Sequence, residues 1–218
     1  DFHGSPIYLS YGTYDKLWFS NLTEHMSNIF IISAPSGCGK TSLVRELCKT
    51  YSFLSLTVSY TTREIRASEV DGNDYYFISK DTFISKKRRN DFIESQKVYG
   101  NFYGTSYESV NKIIEKGNDA ILEIDYKGML QIKSKIPSAK SIYIVPPSIK
   151  ELERRLLDRG LDSSKVIIDR LSQASRELSY MKFADYTITN DDFPKALQSL
   201  KSVILMSRFT TKSLYQIL

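Results

Sequence analysis

The sequence predicts an α/β domain built on a parallel β-sheet with helices on its faces. Short apolar runs without polar alternation, such as Ile29-Phe30-Ile31-Ile32, are typical of strands buried on both faces. Segments with helical periodicity separate these runs, which is the order expected of βαβ units. A glycine-rich loop over residues 34–39 joins the first run to the first helical segment.

The elements follow in order from residue 28. Buried strands are predicted at residues 29–32, 54–59, 120–124, 141–145 and 186–189, where apolar residues run continuously or nearly so. Helices are predicted over about 40–49, 81–90, 106–116, 127–135, 148–158, 165–182 and 192–207. The segment between Tyr60 and Tyr107 is rich in tyrosine, polar and turn residues, and we interpret it as a lobe inserted outside the main sheet.

The composition excludes several classes of protein. A chain of 218 residues suits one α/β domain with small inserted lobes. No apolar run reaches the length needed to cross a bilayer, so no membrane partner is expected. The formal net charge of +5 is mild, and the basic residues are dispersed apart from the run 86–89, which we interpret as solvated surface. No nucleic acid is therefore expected as a partner.

The scarce residue types are also informative. Cys38 and Cys48 are too few for a disulfide scaffold, which favours a reducing compartment and a cytoplasmic location. His3 and His25 precede the first strand, so histidine catalysis and a histidine-ligated metal are not expected. Residues 1–27 show no steady periodicity and do not resemble a secretory signal. An ordered extension, an oligomer contact and a mispredicted start all remain open for them.

The glycine-rich loop nearly matches the phosphate-binding loop G-x-x-x-x-G-K-[ST], with alanine at its first position. Glycines let successive backbone N–H groups face a phosphate, and the following helix adds its positive end. Lys40 would supply charge to the β- and γ-phosphates, and the Thr41 hydroxyl would ligate Mg²⁺. We predict a nucleoside triphosphate site formed by Ala34, Pro35, Ser36, Gly37, Cys38, Gly39, Lys40, Thr41 and Ser42.

Two further blocks lie at and beyond the start of the inserted segment. The first is Ser59-Tyr60-Thr61-Thr62-Arg63-Glu64-Ile65-Arg66, continued by residues 69–77; the second is Phe92-Ile93-Glu94, followed by Tyr99-Gly100-Asn101-Phe102-Tyr103-Gly104-Thr105. With these blocks the sequence resembles the guanylate kinase family, which has S-x-T-T-R-x-x-R-x-x-E-x-x-G-x-x-Y, F-x-E and G-N-x-Y-G-[TS] in this order. The resemblance runs from about residue 28 to 207 and implies ATP and GMP as substrates.

The chemistry of these residues suits a guanine nucleotide. The guanidinium forks of Arg63 and Arg66 match phosphate oxygens bidentately. The Glu94 carboxylate can accept from N1–H and the 2-amino group of guanine, whereas adenine presents an acceptor at N1. Taken singly, the arginines and Glu94 are also consistent with plain surface residues, and the tyrosines with packing. The resemblance implies a GMP site at Ser59, Arg63, Arg66, Glu69, Tyr75, Glu94, Tyr103, Thr105 and Asp125.

The predicted strand at 120–124 leads into two carboxylates, Glu123 and Asp125. Carboxylates at the carboxyl end of a strand beside the loop can hold Mg²⁺ through water or orient the acceptor phosphate. The family has D-I-D-x-Q-G where this chain has Glu123-Ile124-Asp125-Tyr126-Lys127-Gly128, so Asp125 keeps the pattern and Glu123 and Lys127 depart from it. The charge of Lys127 is expected near the acceptor phosphate or near Asp125.

A predicted helix–turn–helix after Pro146-Pro147-Ser148 resembles the lid of small nucleotide kinases. Closing arginines stabilise the charge that spreads over a transferring phosphoryl group. The resemblance implies that Arg155, Arg159 and Arg170 act with Lys40 and Asp125 in catalysis, whereas Arg154 is expected to be solvated or salt-bridged. Asn190 is expected at the adenine edge of ATP, and Asp192 either there or as the cap of the final helix.

The resemblance thus implies a P-loop NTPase fold with three parts in residues 28–207. These are a parallel-sheet core (28–59, 107–146 and 186–207), a mixed α/β GMP-binding lobe (60–106) and a helical lid (about 147–185), followed by a C-terminal tail (208–218). The implied activity transfers the γ-phosphoryl group of ATP to GMP, and to dGMP, with Mg²⁺ as cofactor. The sequence leaves open whether the protein is a monomer or a homo-oligomer.

Three other functions compete with this one. A guanylate-kinase-like module that only binds phosphopeptides is expected to have a degraded glycine loop, whereas Gly39, Lys40 and Thr41 persist here. Another small nucleotide kinase is disfavoured by the block around Glu94. A GTPase is disfavoured because Asn111-Lys112-Ile113-Ile114 lacks the aspartate of the N-K-x-D guanine signal.

Overall fold

The computed structural model describes residues 27–98, 100–158 and 164–208. In chain order its elements are β1 (Ile29–Ser33), α1 (Lys40–Thr50), β2 (Leu54–Leu56), β3 (Tyr60–Thr61), β4 (Tyr76–Phe77), α2 (Lys80–Arg88), β5 (Phe92–Val98), β6 (Asn101–Ser106), α3 (Tyr107–Ile114), β7 (Asp119–Glu123), α4 (Tyr126–Lys135), β8 (Lys140–Val145), α5 (Ile149–Asp158), α6 (Ser164–Leu178), a 3₁₀ helix (Ser179–Phe183), β9 (Tyr186–Thr189) and α7 (Phe193–Arg208).

The main sheet is parallel, with the strand order β2-β7-β1-β8-β9. Strand β1 lies at its centre and is buried along its whole length. Phe30 and Ile32 pack into a core with α1, α5 and α7, whereas Ile29 and Ile31 pack into a second core with α3 and α4. Helices therefore cover both faces of the sheet, which confirms the fold class predicted from the continuous apolar runs.

The second sheet is smaller and mixed, with the order β4-β3-β6-β5. Strands β3 and β4 are parallel, whereas β6 pairs antiparallel with both β3 and β5. The ring of Phe83 in α2 stacks on Phe92 and Phe102, with centroid distances of 4.5 and 5.3 Å. This aromatic cluster gives the inserted segment a small core of its own.

Two predicted elements end earlier than expected. The strand predicted at 54–59 ends at Leu56, because residues 57–59 cross from one sheet to the other: the amide of Thr57 donates to Ile121, and the carbonyl of Ser59 accepts from Tyr76. The helix predicted over 165–182 leaves the α conformation after Leu178 and continues as a 3₁₀ helix.

The described residues contain no helix that is long and apolar enough to cross a membrane. Residues 1–26 and 209–218, which include almost all of the expected N-terminal extension and C-terminal tail, lie outside the described residues. The division into core, lobe and lid remains a prediction.

A buried carboxylate ties the ends of the described chain to the centre of the sheet. Asp119, at the start of β7, is fully buried and accepts from the amide of Asn28 and from Nη1 of Arg208, each at 2.7 Å. Burial raises the pKa of Asp119, and the bonds from Asn28 and Arg208 oppose that rise. The last residue of α7 is therefore fastened beside the first strand.

We expect Asp119→Ala to lower the free energy of unfolding by about 3 kcal/mol, because it leaves Arg208 and the partly buried amide of Asn28 without their partner. Urea denaturation measures this change. Glu46→Ala is the control, since Glu46 forms an exposed pair with Lys49 and its loss is expected to cost at most about 0.5 kcal/mol. Equal losses in the two variants would contradict the anchoring role of Asp119.

Candidate functional site

The glycine loop leads from the carboxyl end of β1 into α1. Gly37 and Gly39 have φ angles of +90° and +84°, which side-chain-bearing residues rarely adopt. A Cβ on Gly39 would lie 2.5 Å from Nδ2 of Asn190, and one on Gly37 would lie 2.9 Å from Cδ1 of Leu152. Gly39 also precedes α1 without a capping side chain, so the first N–H groups of the helix suit an anion.

The other residues of the loop differ in exposure. Ala34, Pro35 and Cys38 are buried, whereas Ser36 and Ser42 are exposed. Burial raises the pKa of the Cys38 thiol to about 12, so the side chain is neutral and fills space as expected of a small buried residue.

Lys40 and Thr41 meet the strand next to β1. Parallel pairing aligns Ile32 with Glu123, which brings the carboxyl end of β7 beside the loop. Lys40 donates from Nζ to the carbonyl of Ile124 at 2.9 Å, and the Thr41 hydroxyl donates to the Glu123 carboxylate. The hydroxyl and the carboxylate are both hard oxygen ligands of the kind that Mg²⁺ prefers.

Asp125 has a different neighbourhood from Glu123. Its Oδ1 accepts from the amides of Lys127 and Gly128 at 2.9 and 3.0 Å and so caps α4. On the sequence pattern alone Asp125 is the favoured carboxylate, because it keeps the family residue. The structure instead brings Glu123, with its longer side chain, against Thr41.

The two described arginines that are expected to act from the predicted lid contact different residues. Arg170 of α6 reaches the loop, with Nη1 at 3.4 Å from Oγ of Ser36. Arg155 is half-buried and donates to Glu151 at 2.8 Å and to the carbonyl of Asn190 at 2.9 Å. Arg154 pairs with Glu151 and Asp158, as the sequence predicted. Arg159 lies outside the described residues.

Asn190 contacts the loop through its side-chain amide. Nδ2 donates to the carbonyl of Cys38 at 2.8 Å, and the side chain is almost fully buried. The backbone amide of Asn190 donates to Val145 at 2.8 Å. The nearby Asp192 accepts from the amide of Lys195 at 3.0 Å and so caps α7, which is the second of the two roles expected for it. The Asn190 side chain therefore fixes the backbone of the glycine loop at Cys38.

A second group of side chains surrounds Arg63. Its guanidinium donates to Glu69 at 2.7 Å and lies 5.7 Å from the ring centroid of Tyr75. Glu69 also accepts from the backbone amide of Arg66 at 2.9 Å, so one carboxylate orders the segment that carries both arginines. The Arg63 bond lowers the pKa of Glu69, and the bonds of Arg63 to Glu69 and Tyr103 raise the pKa of Arg63. This group thus keeps its charges at neutral pH.

Tyr75 joins this group to the carboxylate beside the loop. Its ring lies 6.0 Å from that of Tyr103 in an edge-to-face arrangement. Burial raises the pKa of Tyr75 to about 12, and the nearby charge of Glu123 adds to the rise. The hydroxyl therefore stays protonated and can donate. An ion pair of 3.3 Å between Arg45 and Asp74 also joins α1 to the inserted segment here.

Glu94 is 2 % exposed, and only one of its two oxygens has a partner among the described residues. Oε1 accepts from both the amide and the hydroxyl of Thr105 at 2.8 Å, whereas Oε2 is buried without a hydrogen bond. Burial raises the pKa of Glu94 to about 7, and Thr105 opposes the rise. A buried acceptor without a donor is costly, and such atoms are rare in folded proteins.

The hydroxyl groups beside Glu94 form a directed chain. Ser59 and Thr105 lie 2.9 Å apart through their hydroxyl oxygens. The Thr105 hydroxyl has one proton, which it donates to Glu94. In the bond between the two hydroxyls, Ser59 is therefore the donor and Thr105 the acceptor. Either hydroxyl could therefore donate to a ligand only if one of these protons turned.

Sequence reasoning missed three residues of the site. Gln131 makes two bonds to the backbone of Ser95, at 3.1 and 3.2 Å, and so fastens β5 to α4. Gly128 lies against Glu94, and Glu177 lines a cleft of about 260 Å³ with Asp125 and Lys127. The position of Glu177 seven residues after Arg170, on the same face of a helix, is the one signal that could have drawn attention to it.

The cleft shows where the Lys127 charge lies. Burial and the charge of Asp125 raise the pKa of Glu177 to about 7, whereas Lys40 and Lys127 lower it. Lys127 therefore lies on the side of Asp125 and Glu177, which is one of the two positions that the sequence left open.

Comparisons with known proteins agree on one family. A family model described as “Guanylate kinase” matches residues 26–207. A guanylate kinase of Hahella chejuensis is 48% identical over 180 residues, which cover 83% of this chain and 86% of the relative. One from Escherichia coli strain K12 is 46% identical over 182 residues, which cover 83% and 88%. The crystal structure of guanylate kinase from Anaplasma phagocytophilum is similar with a TM-score of 0.71 and 28% identity, over 85% of this chain and 88% of that one.

We expect Asn190→Ala to lower the free energy of unfolding by about 1–3 kcal/mol, because it leaves the buried carbonyl of Cys38 without a donor. Asn190→Asp should cost more, since it turns a carboxylate oxygen toward that carbonyl. Urea denaturation checks both changes, and Lys195→Ala on the exposed surface of α7 is the control. A side chain that served only to contact a base would leave stability unchanged and alter the KM for ATP alone.

Proposed function

The chain belongs to the guanylate kinase family, and from this premise we propose how its side chains divide the work between two substrates. The family phosphorylates GMP with ATP, so the chain is a nucleoside monophosphate kinase. The glycine loop with Lys40 would hold the phosphates of ATP, and the pocket between β5, β6 and the Arg63 segment would hold GMP. The observation that carries this division is the buried, unpartnered Oε2 of Glu94.

Glu94 would read the base of GMP. A guanine placed against Oε2 brings two adjacent donors, N1–H and the 2-amino group, to a carboxylate with one oxygen that lacks a donor. Adenine brings a lone pair at N1 to the same oxygen, which leaves both groups unpaired. The bonds from Thr105 to Oε1 hold the carboxylate in place for this contact.

The acceptor phosphate would lie among Arg63, Arg66, Tyr75 and Tyr103. Glu69 occupies one edge of the Arg63 guanidinium and pre-orders it, so little conformational entropy is lost when a phosphate binds. The raised pKa of Tyr75 keeps its hydroxyl a donor. Arg66 is exposed and free of side-chain ion pairs among those described, which suits a cation that meets the phosphate from the solvent side.

Phosphoryl transfer in this family generally needs a divalent metal, and we propose Mg²⁺ at Thr41 and Glu123. The described residues contain no group of three or more acidic, histidine or cysteine side chains that could hold a metal by themselves. One hydroxyl and one carboxylate fit an ion that takes most of its ligands from water and phosphate oxygens. When bound, Mg²⁺ would neutralise part of the phosphate charge.

The reaction would need positioning more than proton transfer. An oxygen of the GMP phosphate attacks the γ-phosphorus of ATP, and the bond from that phosphorus to the β-phosphate oxygen breaks to release ADP. The attacking oxygen is already anionic, so no general base is required. Lys40 and the lid arginines Arg155, Arg159 and Arg170 would balance the charge on the transferring group. Asp125 would help to orient the acceptor from the start of α4.

Three further points belong to the same proposal. Residues 60–106 and about 147–185 would move as a GMP lobe and a lid toward the core and exclude water. The enzyme would also accept dGMP. The free thiols of Cys38 and Cys48 are consistent with a reducing compartment, which supports a cytoplasmic location.

We expect Glu94→Ala to reduce the preference for GMP over AMP by about 2–4 kcal/mol, measured as the ratio of kcat/KM values in a coupled ADP-release assay. The wild-type chain should turn over GMP and dGMP and leave AMP, UMP and TMP nearly untouched. Glu108→Ala removes an exposed carboxylate that pairs with Lys112 and is the control. An unchanged preference in Glu94→Ala would show that this carboxylate does not read the base.

GMP binding should weaken as the pH falls through about 7, the pKa to which burial raises Glu94. Only the ionised carboxylate can accept both guanine donors, and its ionised fraction drops from about nine tenths at about pH 8 to about one tenth at about pH 6. The KM for GMP should therefore rise roughly eightfold to tenfold over that interval. The substrate phosphate also titrates at about pH 6. The KM of Glu94→Gln for GMP is therefore measured over the same pH range as that of the wild type. The same rise in Glu94→Gln would assign the effect to the substrate.

A further inference from the structure

Gly128 is the third residue of α4 and is buried. Its backbone is helical and lies outside the left-handed region, so no unusual φ angle calls for glycine. Glycine is one of the least favourable residues inside a helix. Some other requirement must keep this position free of a side chain.

The space that a side chain would need at Gly128 is occupied by the base-reading carboxylate. A Cβ there would lie 2.9 Å from Oε2 of Glu94, 3.3 Å from its Cδ and 3.1 Å from Cδ1 of Ile124. The nearest of these atoms is the same oxygen that has no hydrogen-bond partner. The overlap therefore falls on the part of Glu94 that the proposed function assigns to guanine.

Glu94 cannot move away from an added methyl group without losing its own bonds. Oε1 is held by the amide and the hydroxyl of Thr105, both at 2.8 Å. Gly128 is held in turn, because its amide donates to Oδ1 of Asp125 at 3.0 Å. Both partners of the contact are fixed, so the missing side chain is what leaves room for the carboxylate in its present orientation.

We propose that Gly128 is a specificity-determining residue for the acceptor nucleotide. By lacking a side chain, it lets α4 approach Glu94 while Oε2 stays aligned with the N1–H and 2-amino donors of guanine. This role rests on the proposed function of Glu94. The effect passes through Glu94 and not through the proposed ATP site, whose Lys40 donates to the backbone carbonyl of Ile124.

The test is Gly128→Ala, assayed with GMP, with inosine monophosphate, which lacks the 2-amino group, and with ATP. We expect the KM for GMP to rise at least about tenfold and the GMP-to-inosine-monophosphate preference to fall, while the KM for ATP is unchanged. Ser134→Ala on the exposed side of α4 is the control. An unchanged KM for GMP would overturn the proposal, whether the Tm falls through the overlap with Ile124 or rises because alanine is the better helix former.

Two backgrounds separate this inference from the proposed function. In Glu94→Ala, adding Gly128→Ala should cause no further loss of GMP binding; a further loss would overturn the inference. In Glu94→Asp, whose shorter side chain leaves room for a Cβ, adding Gly128→Ala should change the KM for GMP less than it does in the wild type. If Gly128→Ala alone does not fold, the Glu94→Ala background still decides, because neither of its two variants contains the overlap with Oε2. If Glu94→Ala itself keeps full preference for GMP, the proposed function fails instead.

Discussion

The parallel pairing of β1 with β7 is the constraint on which the rest of the site depends. It aligns Ile32 with Glu123, so the two strands end together and the chain leaves them in different directions. From β1 it turns into the glycine loop and α1, and from β7 it turns into α4. Lys40 returns across this gap to the carbonyl of Ile124, which ties the two exits together. Because the carboxyl ends of parallel strands are where α/β folds bind ligands, the site lies where the topology requires it.

Two buried carboxylates show how the fold distinguishes support from function. Asp119 is fully buried and takes bonds from Asn28 and Arg208, so its charge is compensated. Glu94 is as deeply buried, yet one of its oxygens has no donor, and burial raises its pKa to about 7. Both bury charge, which is unfavourable. At Asp119 the protein supplies the partners itself, whereas at Glu94 one oxygen has no donor among the described residues, and the proposed function assigns that oxygen to guanine.

The sequence predicted the main sheet well because its strands are continuous apolar runs, and it identified the loop because Gly39, Lys40 and Thr41 are adjacent in the chain. It did not predict any strand of the second sheet. Strands β3 and β4 have two residues each and carry no periodicity, and the longer β5 and β6 lie in a segment rich in tyrosine, polar and turn residues. Contacts between distant residues were equally out of reach. The partner of the Asn190 amide is Cys38, 152 residues away, and no spacing rule links them.

Residues 123–128 illustrate the same limit within a recognised motif. The pattern of carboxylates was visible, but which of them would lie against Thr41 depends on side-chain reach, and the structure favours the longer Glu123. The reason for glycine at 128 depends on where Glu94 lies after folding. The order of the motifs therefore identified the segments that form the site. Which of their atoms face each other depends on the packing of β5 against α4.

Helix α6, which carries Arg170, packs into the first core through Ile167 and Ala174 and is also fixed to the sheet at its C-terminal end. The hydroxyl of Tyr143, a buried residue of the sheet, donates to the carbonyl of Glu177 at 2.8 Å. Just beyond it, the ring of Tyr180 stacks on Tyr126 at a centroid distance of 4.0 Å. Arg170 lies about two turns before this end, and its Nη1 lies 3.4 Å from Oγ of Ser36 in the glycine loop. The position of Arg170 beside the loop therefore depends on the contacts of α6 with the sheet and with the first core.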